Sequence, residues 1–210
     1  MSTLFEAHEL TKCYGSITAL HIPFFTMEKG ETVALTGRNG SGKSTLLRLL
    51  AFLETPTSGT LRYFGRQDDP RREITLLLQE PYLMKASVFW NVTLGLRLRG
   101  FDAKAQKKGY EESMLAVGFS DPDSMASRGP GELSGGERQR IALASRLILS
   151  PSVLLLDEPT SNVDAASEKA ILNVVHSLRE RGVSVVCATH DRDIPAALRA
   201  REVRIVNERS

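Results

Sequence analysis

Residues Gly37 to Thr45 read Gly-Arg-Asn-Gly-Ser-Gly-Lys-Ser-Thr and directly follow the apolar run Val33, Ala34 and Leu35. Their spacing fits G-x-x-x-x-G-K-[ST], a loop whose backbone N–H groups encircle a phosphate. Such a ring closes only where the chain turns tightly without Cβ obstruction, and Gly37, Gly40 and Gly42 meet that need. Arg38, Asn39 and Ser41 complete the loop, Lys43 adds a full positive charge for the outer phosphates, and the Ser44 hydroxyl is suited to Mg²⁺. From Ser44 and Thr45 onward the residues Leu46, Leu47, Arg48, Leu49 and Leu50 read as a helix, whose N-terminal dipole end and unpaired N–H groups also favour an anion. The loop predicts a nucleoside triphosphate, and the alternative is a glycine-rich turn that binds nothing.

A second group of chemical residues closes another apolar strand, Val153 to Leu156, with Asp157 and Glu158. A parallel sheet presents ligands at this end of its strands. Asp157 is suited to hold Mg²⁺, and Glu158 to orient and polarise an attacking water. A helix cap or a solvated turn before Pro159 would explain the pair without chemistry. Further along, Leu133, Ser134, Gly135, Gly136 and Glu137 begin a helix running through Arg140, Ile141 and Leu147. That makes a second hydroxyl-plus-glycine helix start, and so either a second anion site or a simple cap.

The elements around these residues follow from periodicity. Short apolar segments at Leu4–Thr11 and Ala19–Met27, separated by the turn at Gly15, predict an antiparallel layer before the loop strand. Thr60–Phe64 and Ile74–Leu78 read as further strands, the second buried and ending at Gln79. From Pro81 to about Leu149 the pattern turns helical. After Pro151 strand and helix alternate again: Val153–Leu156, a helix over Ala165–Arg181, Val183–Ala188, and a last strand over Val203–Val206. Near-continuous apolar strands suit a parallel sheet covered on both faces. The expected organisation is a single domain over 1–210, with a core of 1–80 and 150–210 and a helical insert at about 81–149.

Composition narrows the setting. Lys and Arg number 27 against 25 Asp and Glu, a net charge of +2 that gives no electrostatic case for nucleic acid or an anionic membrane and leaves room only for local patches. Cys13 and Cys187 lie far apart, make no metal-ligand pair and suggest no disulfide framework, which points to a reducing cytoplasm. No apolar run is long enough to span a membrane, and Glu6, His8 and Glu9 occupy the place of a signal-peptide core. Work at a membrane would therefore need another chain to cross it.

Leu-Ser-Gly-Gly-Glu at 133–137 resembles the signature of ATP-binding cassette (ABC) ATPases, which usually ends in Gln, and the likeness extends over essentially the whole chain with its motifs in order. The resemblance implies a P-loop NTPase (RecA-like) α/β fold, with the parallel-sheet core, N-terminal antiparallel β layer and inserted α-helical subdomain. ATP and Mg²⁺ are the implied ligands. Tyr14 resembles the adenine-stacking aromatic, a role that competes with packing at a strand end. Gln79 resembles the Q-loop glutamine, placed near the Mg²⁺ and the catalytic centre. Asp164 resembles the D-loop aspartate, although Ser161-Asn162-Val163-Asp164 departs from the commoner Ser-Ala-Leu-Asp. His190 resembles the switch histidine, acting with Glu158 and Lys43 at the γ-phosphate; His8, His21 and His176 match no motif.

The family works as a head-to-tail pair, each ATP lying between the loop of one copy and the signature of the other. The chain gives its own reason to expect this: one copy carries two separate phosphate-binding helix starts, and a second copy could bring both to one nucleotide. Further implied partners are a transmembrane permease subunit and, through it, a substrate-binding receptor, with the chain peripheral on the cytoplasmic face of the membrane and no nucleic acid. Tyr82, Leu83, Met84, Phe89 and Trp90 fall where such ATPases receive a coupling helix; most are expected in the helical core, with Tyr82 to Met84 exposed. The segments Leu49–Glu54, Leu78–Leu83 and Gly95–Gly100 resemble the ATPase of bacterial tungstate-type oxyanion importers, and so suggest tungstate or molybdate import. No regulatory domain is expected after His190. A DNA-associated ATPase of the same family would need a long coiled coil between Gln79 and Ser134, a translation-associated member would fuse two such domains, and a small-molecule kinase would leave Ser134 to Gly136 and His190 unexplained.

Overall fold

The structure, a computed structural model, describes residues 2–66 and 68–206. These fall into two compact units, one of 2–66, 68–76, 152–158 and 176–206, the other of 77–151 and 159–175.

In the first unit, β1 (Thr3–Tyr14) and β2 (Ile17–Glu28) pair antiparallel, with Tyr14 opposite Ile17. The two-residue turn between them requires positive φ, and Gly15 supplies it at 60°. The loop strand β3 (Thr32–Thr36) leads to α1 (Lys43–Leu50), and β4 (Ser58–Tyr63) returns to pair with β1, giving a three-stranded layer in the order β2-β1-β4. The second sheet has the order β5-β6-β7-β3-β8, with β5 at Ile74–Leu77, β6 at Val153–Asp157, β7 at Ser184–Thr189 and β8 at Arg201–Arg204. Its central strands are parallel and buried along their length, as apolar runs covered on both faces should be.

Register positions the chemistry. Thr36 pairs with Thr189 and Asp157 with Ala188, so β3, β6 and β7 end level with one another. Gly37, Glu158 and His190 therefore all leave the sheet at one edge. Behind that edge, Phe5, Leu20, Met27, Leu46, Leu47, Leu155 and Val186 belong to one apolar cluster that joins the two sheets and α1.

In the second unit, α2 (Val88–Leu98), α3 (Ala103–Ala116), α4 (Pro122–Ala126) and α5 (Gly135–Leu147) build a separate core around Val92, Tyr110, Met114 and Ile141. The Phe89 and Tyr110 rings lie 5.0 Å apart in it, and burial pushes the Tyr110 hydroxyl up to about 12. Helix α6 (Ala165–Glu180) starts in this unit and ends in the first, and the short α7 (Ile194–Ala197) lies in the first.

Two local expectations change, and one element was not expected. Strand β5 stops at Leu77, and Leu78 is exposed. The last strand starts at Arg201 instead of Val203 and ends at Arg204, because an edge strand alternating Arg, Glu, Val and Arg hides its pairing with β3 from an apolar-run reading. The four residues of α7 are too few to show a helical period.

Candidate functional site

The nucleotide loop folds onto its own lysine. Lys43 is only 6% exposed, and its Nζ donates to the carbonyl oxygens of Gly37 at 2.9 Å and Arg38 at 3.3 Å. Gly42 precedes α1 at φ 103°, and a Cβ there would stand 2.6 Å from the Ala19 carbonyl oxygen. A Cβ on Gly37 would stand 2.5 Å from the Ile205 carbonyl oxygen, so both glycines are required by space as well as by φ. Arg38, Asn39 and Gly40 are exposed and Thr45 is buried. Ser41 is also buried, and its hydroxyl has no partner among the described residues. An unpaired buried hydroxyl inside this loop fits a phosphate ligand.

The Ser44 hydroxyl donates to Asp157 Oδ1 at 3.0 Å. Burial raises the Asp157 pKa, the Ser44 hydrogen bond opposes this, and Glu158 adds to the rise. A hard cation would favour the ionised carboxylate, and hydroxyl and carboxylate oxygens suit Mg²⁺. Among the described residues no cluster of three or more His, Cys, Asp or Glu could hold a metal. Two protein oxygens with phosphates and waters completing the shell match how Mg²⁺ is usually held.

Glu158 lies just beyond β6 at φ 48°, a left-handed conformation that costs a non-glycine residue energy and that clusters at functional sites. Its N–H donates to the Ala188 carbonyl oxygen at 2.9 Å. The carboxylate is gripped on both sides: Oε1 is 3.7 Å from Lys43 Nζ, and Oε2 is 2.7 Å from His190 Nδ1. An ionised carboxylate only accepts, so it takes this contact from the His190 tautomer that carries its proton on Nδ1.

Tyr14 ends β1 with its ring 44% exposed, outside the core. Its hydroxyl donates to Glu54 Oε2 at 2.5 Å, and Lys12 Nζ lies 5.2 Å from the ring centroid and 3.3 Å from the same carboxylate. These contacts hold Glu54 below the usual carboxylate range, the Tyr14 hydrogen bond most of all. Glu54 was missed by sequence reasoning, since nothing local links it to a residue 40 positions away.

The remaining predicted residues, Gln79, Ser134, Gly135, Gly136 and Asp164, belong to the second unit. Gln79 is exposed just past β5. Ser134 caps α5: its hydroxyl accepts from Glu137 N at 3.2 Å, and its own N–H donates to Glu137 Oε2 at 2.8 Å. Glu137, where the family signature usually has Gln, thus closes a capping box, and the Ser134 N–H holds its pKa down. Gly135 is exposed, but Gly136 is buried, and a Cβ on it would run into Asp164 Oδ2 and Ser167 Oγ and stand 2.9 Å from Ser167 Cβ. Asp164 in turn accepts from Ser167 N at 2.9 Å and Ser167 Oγ at 2.8 Å, starting α6. This packing explains why 159–175 clusters with the helical residues.

In the same unit Tyr82 is 81% exposed and Met84 43%, while Phe89 packs on Tyr110. Asn91, which no motif marked, holds their loop by accepting from Met84 N and donating to the carbonyl oxygens of Met84, Ala86 and Ser87.

A family model described as ABC transporter matches residues 20–161. The Fe(3+) ions import ATP-binding protein FbpC of Brucella melitensis is 39% identical over 198 residues, covering 91% of this chain and 55% of that protein. The lipoprotein-releasing system ATP-binding protein LolD of Geobacter metallireducens is 37% identical, covering 100% of this chain and 98% of that protein. The chain spans about half the length of the Fe(3+)-import relatives it matches. Among solved structures, the ATP-binding cassette MJ0796, dimeric in a post-hydrolysis state bound to ADP and Pi, superposes with a TM-score of 0.84 at 28% identity, covering 97% of this chain and 94% of that one.

Proposed function

The chain belongs to the ABC transporter family, and we propose that it is the ATP-hydrolysing, nucleotide-binding subunit of a membrane transporter. The observation that carries this is the meeting of Lys43, the Ser44–Asp157 pair and the Glu158–His190 pair at one sheet edge. The loop N–H groups and Lys43 bind and orient the phosphates. Ser44 and Asp157 would hold Mg²⁺, which would supply charge neutralisation at the phosphates when bound. Glu158 accepts the proton of the attacking water, and His190 fixes the direction of that carboxylate. Tyr14, braced by Glu54, offers its ring to the base.

Two copies work head to tail, with Ser134, Gly135, Gly136 and Asp164 of one facing the loop of the other, and Gln79 reporting to the permease. The dimeric state named for the MJ0796 cassette supports this pairing. The chain acts at the cytoplasmic face of a membrane, bound to a permease through the exposed Tyr82 and Met84, with a receptor delivering cargo.

Glu158→Gln tests the reading. ATP binding is retained, a closed dimer accumulates, and turnover falls about 10²–10⁴-fold; unchanged steady-state hydrolysis refutes it.

We propose oxyanion import from the three segments at 49–54, 78–83 and 95–100. The names of the relatives favour a second reading, Fe(3+) import or lipoprotein release. Reconstitution with the copurifying permease and receptor decides: stimulation of hydrolysis by molybdate or tungstate supports the first, and by ferric iron or lipoprotein the second.

A further inference from the structure

At the start of β3, the end remote from the nucleotide loop, the first unit has a cleft lined by Thr26, Glu28, Lys29, Glu31, Thr32 and three arginines, Arg179, Arg199 and Arg201. Its charges are unequal. Arg201 is committed to Glu31, with which it makes a two-pronged ion pair, and to the Thr26 carbonyl oxygen. That leaves Arg179, Arg199 and Lys29 against Glu28, two positive charges in excess. Arg179 Nη1 lies 3.4 Å from the Arg199 carbonyl oxygen, to which it donates, so the two arginines are held side by side.

Two independent features point to a ligand. Thr32, 5% exposed, is one of the residues lining this cleft, and its buried hydroxyl has no partner among the described residues. A buried hydroxyl left unpaired calls for an explanation. Arg199 follows α7 at φ 50°, with Ala200 N donating to the Pro195 carbonyl oxygen and Arg199 N to that of Ala196. This is the helix ending at which glycine is customary. An arginine kept in a conformation that favours glycine brings a guanidinium to the cleft in spite of backbone strain.

We propose that this cleft binds a phosphate-type anion, held by Arg179, Arg199, Lys29 and the Thr32 hydroxyl, separately from the nucleotide loop. Guanidinium groups and a hydroxyl suit phosphate oxygens, whether on free phosphate or on a lipid headgroup.

The test is titration of the full chain with inorganic phosphate at fixed ionic strength, followed by backbone amide resonances. Saturable shifts are expected at Gly30, Thr32 and Ala200, and they persist in Lys43→Ala, which disables the loop. Arg199→Gly removes the guanidinium at a position where glycine is at ease, so the fold is retained, as an unchanged or raised melting temperature will show. Combined with Lys29→Gln it weakens binding about tenfold or more, the loss expected for a charge-assisted hydrogen bond; Thr32→Val weakens it less. Absence of saturable shifts, or equal affinity in the double variant, overturns the site. Flotation with phosphatidylglycerol vesicles against phosphatidylcholine vesicles identifies the source: binding to the former that the double variant loses assigns a headgroup, and no such binding beside intact phosphate shifts assigns a soluble anion.

Discussion

Gly136→Ala separates two roles for the signature glycine. If Gly136 serves only to let a phosphate approach, the unliganded chain should tolerate alanine, and helix propensity alone would favour it by up to about 1 kcal/mol. The structure predicts the opposite sign. The added Cβ would overlap Ser167 Oγ and lie 2.9 Å from Ser167 Cβ, so something must move. Ser167 cannot yield cheaply, because its N–H and hydroxyl both hold the Asp164 carboxylate that begins α6. Overpacking of this kind costs about 1–3 kcal/mol, which exceeds the propensity gain at most of its range. For a chain of this size each kcal/mol lowers the midpoint by about 2–4 °C. Thermal unfolding without nucleotide is the assay, with Ser167→Gly as the partner change that removes two of the three obstructing atoms and leaves Asp164 Oδ2. The double variant should recover part of the loss, a coupling of about 0.5–3 kcal/mol between touching residues. A Gly136→Ala chain that melts at or above the original midpoint, with no coupling to Ser167, refutes the packing role.

Three further outcomes follow from the site. Asp157→Asn should leave the unliganded chain at least as stable near neutral pH, because burial raises the Asp157 pKa and its charge is unfavourable there, while Mg²⁺-dependent hydrolysis is lost; a clear drop in melting temperature contradicts this. Glu158→Gly and Glu158→Ala both remove the carboxylate and should both abolish phosphate release, but only glycine is at ease in the left-handed backbone, so the glycine variant should be the more stable by about 1–2 kcal/mol in chemical denaturation; equal stability of the two counts against strain at this turn. Glu137 has a folded pKa below its ordinary value of 4.5, so its contribution is present above that value and is lost as pH falls through the folded pKa. Glu137→Gln should therefore melt slightly lower near neutral pH, and the difference should close in acid; a constant difference across pH argues against the capping-box charge.

The residues of the candidate site in the first unit were legible because each motif is contiguous and ends a buried strand. Gly37 to Thr45, Asp157 with Glu158, and His190 each follow an apolar run, and parallel register does the rest by ending β3, β6 and β7 level. What stayed hidden joins residues that only folding brings together. Glu54 braces Tyr14 from 40 residues away, and Asn91 ties down a loop through backbone atoms that carry no sequence signal. Gly136 was marked in the sequence as a phosphate contact, but its packing against Asp164 and Ser167, nearly thirty positions on, was not legible there.

Positive φ separates two kinds of position in the first unit. At Gly37, Gly40 and Gly42 the loop takes left-handed conformations with glycine, where no side chain is wanted. Glu158 takes one at φ 48° without that relief, as the base proposed above would have to, since it must carry a carboxylate. Its backbone is pinned by the bond to Ala188, and its two oxygens face Lys43 and His190. The sharp turn after β6, and not the strand itself, therefore aims the carboxylate, and the strain in that turn is maintained by contacts from β7 and the nucleotide loop together.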